Sequence, residues 1–146
     1  MMKKIIIIIV STLFVVLIME RCEKKGENSK YDVYENHDIS VCGVDDPLQN
    51  IEWLKTYCDD VKKEQTASSV YIDLYKVIDT DENLFQINIS YSDFEYSPVL
   101  YSVYWRNCSG KLITNFQSGM PPMPGSVEDF MRDKEFVIEL FHFVKQ

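Results

Sequence analysis

Apolar and polar positions follow different rhythms in different parts of this chain. Residues 5–19 are apolar almost throughout and open with five consecutive isoleucines, a run with no amphipathic face and little place in the core of a small domain. Over residues 46–63, Leu48, Ile51, Leu54, Cys58 and Val61 recur at three- and four-residue spacing, which predicts a helix with one core-facing stripe. Asp46 is its expected cap, Pro47 suits the first helical position, Glu52 lies in the early turns, and Lys62 and Lys63 suit the negative end. Trp53 and Tyr57, four apart, fall on an adjoining face that either widens the packed surface or meets a partner. Residues 70–78, 84–91 and 99–106 are rich in β-branched and aromatic side chains and predict antiparallel strands. Alternation is clearest in the second, where Phe85, Ile87, Ile89 and Tyr91 interleave with Gln86, Asn88 and Ser90. A turn at Asn107-Cys108-Ser109-Gly110 leads to a fourth strand over 111–116. A loop over 117–125 then precedes Ser126, whose spacing to Asp129 matches a capping box. Val127, Phe130, Val137, Phe141 and Val144 predict a last helix across the open face of the sheet.

Charge narrows the partners. The 146 residues carry a formal charge of −8, and residues 1–21 hold Lys3, Lys4 and Arg21 against Glu20, so the chain beyond them stands at about −10. Nucleic acid and anionic headgroups need clustered Lys or Arg, and neither is an expected charge partner. Residues 22–146 suffice for one domain that buries roughly two-thirds of its unfolded surface. Residues 22–38 are polar without sustained periodicity and predict a tether with a coil dimension of roughly 20 Å. Tyr31 and Val33, with Ile39 and Val41, allow a short edge strand there instead. The domain is expected over 39–146.

The first residues read as an address. Lys3 and Lys4 precede the apolar run, the pattern of a secretory signal peptide over residues 1–21. At roughly 1.5 Å per residue the run reaches only about 22 Å, short of the ~20 residues a spanning helix needs. Cys22 follows at once, an arrangement that resembles a bacterial lipoprotein precursor in which this cysteine becomes the lipidated first residue. The resemblance implies a cell-envelope protein held to a bacterial membrane by its lipid. Glu20 and Arg21 stand where such signals usually carry small residues, which leaves an uncleaved anchor, or secretion with cleavage elsewhere, as alternatives.

With Cys22 assigned to lipid, Cys42, Cys58 and Cys108 permit one of three disulfides. Cys42 with Cys108 is the favoured pair, because both lie at element boundaries while Cys58 lies on the apolar stripe. Closing the loop between them stabilises by about 4 kcal/mol in the chain-entropy model. No Cys-x-x-Cys is present and neither His37 nor His142 has a ligand at metal spacing, so no metal site and no cofactor is expected. The conceivable thiol pair is Cys58 with His142, but His142 in Phe141-His142-Phe143 reads as a surface or satisfied residue. Asp79, Asp81 and Glu82 read as a solvated turn rather than a calcium loop. No phosphate loop or nucleophile elbow appears, and the protein is read as not an enzyme.

Two features suit binding. Met120 and Met123 lie in a stiff loop, Gly119-Met120-Pro121-Pro122-Met123-Pro124-Gly125, and could seat in a partner's pocket, against the plainer reading of a rigid connector. Tyr101 and Trp105, with Tyr104 and nearby Tyr91, Phe94 and Tyr96, could present a surface to a peptide or glycan, against core packing.

Cys42-Gly43-Val44-Asp45-Asp46-Pro47-Leu48, continued by Ile51-Glu52-Trp53-Leu54-Lys55, resembles the opening of a group of small Bacteroides-type envelope lipoproteins of unknown function. Asn107-Cys108-Ser109-Gly110-Lys111 is similar to a later turn of that group. The resemblance implies an envelope lipoprotein with an α+β domain and implies no activity. The combined expectation is an α+β fold made of a helix, a four-stranded antiparallel meander and a C-terminal helix, acting as a membrane-anchored, non-enzymatic binding or structural module for a protein or glycan partner. The helix-then-meander order is also similar to cystatin-like folds, which makes a periplasmic inhibitor of an exported enzyme the alternative.

Overall fold

A computed structural model of the chain describes residues 30–91, 100–118 and 127–146. The expected signal, Cys22, Met120 and Met123 lie outside these residues. Among the described residues the fold is mostly β, with eight strands and three short helices. Strands β1 (Tyr31–Glu35), β4 (Ser69–Val77), β5 (Asn83–Tyr91), β6 (Leu100–Asn107), β7 (Leu112–Gln117) and β8 (Lys134–Lys145) form one antiparallel sheet in the order β1-β8-β4-β5-β6-β7. Strands β2 (Ser40–Val41) and β3 (Val44–Asp45) make a separate hairpin, closed by Cys42 and Gly43 at positive φ as a tight two-residue loop demands.

The expected α+β fold is therefore corrected at both ends of the chain. The meander β4-β5-β6-β7 forms where alternation and β-branching predicted it, but it is only part of a six-stranded sheet. The expected C-terminal helix is a single turn or so, α3 (Val127–Met131), followed by β8, the longest strand, inserted between β1 and β4. Two bulges explain the misreading. Tyr75 pairs with Phe136 and Leu74 with Ile138, leaving Val137 extra, while Asp73 pairs with Glu139 and Ile72 with Phe141, leaving Leu140 extra. Each extra residue breaks the two-residue alternation and puts apolar side chains at intervals that imitate a helix. Residues 31–35, expected in the tether, are the edge strand β1, the alternative that Tyr31 and Val33 allowed. The helix-then-meander order behind the inhibitor alternative thus describes only four of the sheet's six strands.

The helix expected over 46–63 is interrupted at Ile51, whose extended backbone separates α1 (Pro47–Asn50) from α2 (Glu52–Glu64). Asp46 stands before Pro47, but its backbone carbonyl, not its side chain, receives the amides of Gln49 and Asn50. The predicted stripe holds: Leu48, Ile51, Leu54 and Cys58 are buried against Val70, Ile72 and Leu74 of β4, Phe85 and Ile87 of β5, and Phe141 and Phe143 of β8. The other face has its own smaller cluster. Trp105 lies between Tyr75 and Phe130 with ring centroids 4.8 and 5.2 Å away, and Lys134 Nζ sits 3.9 Å above the Phe130 ring.

Candidate binding groove

The turn after β6 is fastened to the start of α2. Cys42 and Cys108 form a disulfide, and the indole N–H of Trp53 donates to the carbonyl of Cys108 at 3.0 Å. Asn107 Oδ1 accepts the amides of Ser109 and Lys111, which shapes the turn. Gly110 adopts φ +81° and passes so close to Trp53 that a Cβ there would stand 2.8 Å from the ring. Glycine is thus required twice, by the backbone and by the indole. Trp53 also meets Phe85 edge-on at 5.4 Å and carries the Arg106 guanidinium 6.0 Å from its ring. This clasp fixes the position of α2 relative to β5 and β6.

Because α2 packs on β8, β4 and β5, the same face of the sheet continues beyond it. Register with the buried Phe85 and Ile87 places Tyr104 and Arg106 on that face, and both are half-buried. Two cavities lie along α2 on this face, about 450 Å³ beside Trp53, Thr56 and Arg106, and about 280 Å³ beside Val61, Ile89 and Tyr91. Tyr57 and Asp60 line both, so the two adjoin as a groove along the helix. Glu52 lines the first cavity and Glu64 the second.

Floor and rim differ chemically. The floor is aromatic, with Trp53 and Tyr57 packed against the core beside Tyr91. Burial, followed by Tyr91, raises the Tyr57 hydroxyl pKa well above its ordinary range, so it stays a neutral donor. Gln117 donates to the Tyr104 hydroxyl at 3.2 Å. The rim is acidic: Glu52, Asp60 and Glu64 are exposed, and among the described residues no ion pair engages them. On another side of the helix Lys62 instead bridges Glu35 at 2.9 Å and Asp59 at 3.1 Å.

The residues singled out from sequence are dispersed. Tyr101 is exposed, but Trp105 beside α3 is fully buried, so this pair forms no shared platform. Cys58 is buried under α2 with its thiol pushed up to about 12 by burial. His142 lies on the opposite face of the sheet, paired with Glu139 at 2.7 Å and ringed by Tyr34 and Tyr71. The sheet separates thiol from imidazole. Asp81 of the acidic turn is held by Lys76 at 2.7 Å. Among the described residues no group of three or more His, Cys, Asp or Glu could hold a metal ion, and no helix is long and apolar enough to cross a membrane. Sequence reading found the Trp53–Tyr57 face but not the groove, whose other wall comes from β5 and β6.

Comparison with known proteins adds no relative: no family model, no curated protein and no solved structure matches this chain. What defines it is a six-stranded antiparallel sheet with an acid-rimmed aromatic groove beside its main helix.

Proposed function

We propose that the protein is a cell-envelope lipoprotein, anchored through Cys22, that works as a non-enzymatic binding module and engages its partner in the groove beside α2. The observation that carries the binding site is the pair of adjoining cavities lined by Trp53, Tyr57 and Tyr91, with carboxylates that have no ion pair among the described residues. A concave site with an aromatic floor and a few polar groups is where ligands usually bind. Binding is favoured over thiol catalysis because Cys58 and His142 lie on opposite sides of the sheet. The lipid anchor is supported by the sequence alone, through Lys3, Lys4, the apolar run and Cys22. Such an anchor would leave the groove accessible: β5 lies three strands from β1, the edge where the chain enters, roughly 14 Å across the sheet.

The test is a photo-crosslinking amino acid introduced in the native host at Thr56, in the groove, or at Tyr34, on the far face. A discrete adduct from position 56 that position 34 does not give is expected. Identical products from both positions, or none from either, would refute a groove-based binding module.

A further inference from the structure

Resting on that reading of the groove, we infer that its occupant is an extended, basic segment of a partner protein, laid along α2. The rim carries its negative charge along one row of α2. Glu52, Asp60 and Glu64 fall on one i, i+4 row with Thr56, and each four-residue step along a helix advances about 6 Å. In an extended chain, side chains on one face recur about every 6.6 Å. The two repeats nearly coincide, so of four Lys or Arg at alternate positions of an extended segment three would meet Glu52, Asp60 and Glu64 and one would pass Thr56, over the roughly 18 Å from Glu52 to Glu64. Residues between them would face Trp53, Tyr57 and Tyr91, where apolar side chains would be buried and the stems of the basic residues covered.

Charge decides among ligands. Among the described residues one cation lines the groove, Arg106, and it is committed, lying over Trp53 and donating to the carbonyl of Gly110. Three exposed carboxylates without ion pairs among the described residues repel phosphate and carboxylate ligands and focus a negative potential on the cleft. A neutral sugar could stack on the rings and donate hydroxyls to the row but would leave its charge uncompensated. A basic segment uses both.

The probe is a dye-labelled heptapeptide alternating Lys and Val, titrated into the full chain in detergent at low salt and followed by fluorescence anisotropy. Saturable binding that weakens as salt rises is expected. In the triple variant Glu52→Gln, Asp60→Asn, Glu64→Gln affinity should fall by about tenfold or more, the sum of three exposed pairs. The variant Asp38→Asn, Asp79→Asn, Glu128→Gln, which removes the same charge from other exposed sites, should bind as the natural chain does, with circular dichroism unchanged in both. No binding, equal loss in the two variants, or equal binding of the peptide with Glu in place of Lys would overturn the inference. If the peptide fails while position 56 still gives its specific adduct, the groove stands as the binding site and only its basic occupant is refuted.

Discussion

Replacing Gly110 with alanine tests the clasp that positions the groove. The added Cβ would lie 2.8 Å from Cδ1 and Cγ of Trp53 and 3.2 Å from Cδ2, against ordinary carbon contacts of about 3.5–4.0 Å. Trp53 has little room to yield, because its N–H is held by Cys108 and its edge rests on Phe85. Forcing such an overlap in a packed site costs about 1–3 kcal/mol. Holding alanine at positive φ adds about 1 kcal/mol, for a total of about 2–4 kcal/mol. The assay is urea unfolding followed by circular dichroism with the disulfide intact, comparing midpoints at constant slope. A double-mutant cycle separates the two terms: with Trp53→Leu in the background only the backbone term should survive, leaving a coupling of about 1–3 kcal/mol. A total cost under about 1 kcal/mol, or the same cost in both backgrounds, would refute the argument. Since Trp53 also lines the groove, peptide affinity should fall with it.

Two further predictions concern stability. The Asp73 carboxyl is pushed up to about 6 from an ordinary value of 3.8, first by burial and then by Glu139. Its folded pKa lies above its unfolded one, so the stability it contributes is present below about pH 4 and is lost as pH rises through about 6. Asp73→Asn should therefore be near neutral at pH 4 and stabilising at pH 7. A rise of that size corresponds to roughly 3 kcal/mol, which screening at this half-buried site reduces to about 1–2 kcal/mol. Urea midpoints at the two pH values check this, and an equal effect at both would contradict it. Reducing the Cys42–Cys108 bond, or replacing both residues with serine, opens a loop of sequence separation 66 and should cost about 4 kcal/mol. A thermal midpoint unmoved by reductant would count against that.

How far the fold could be read from the sequence depended on whether a local signal matched the tertiary structure. The stripe Leu48, Ile51, Leu54 and Cys58 faces the core because its spacing leaves it no other choice, and β4 to β7 follow their β-branched and aromatic residues. Cys42 and Cys108 meet because both sit in tight turns, Cys42 at positive φ before Gly43 and Cys108 between Asn107 and Gly110. β8 was hidden because the extra residues Val137 and Leu140 spoil its alternation. Trp105 could be read as a surface aromatic or as core, because nothing local reveals that Tyr75 and Phe130 flank it. The groove was legible only along α2: Trp53 and Tyr57 stood out by spacing, whereas Tyr91 and Arg106 join them through strand pairing across the sheet.

The most direct test of the account as a whole is the intact mass of the protein purified from membranes of its native host, beside a Cys22→Ala variant. A chain that begins at Cys22 and carries acyl groups is expected, with both features lost in the variant. An unmodified chain still beginning at Met1 or Met2 would contradict it, because the module would then be held by an uncleaved anchor and not by lipid.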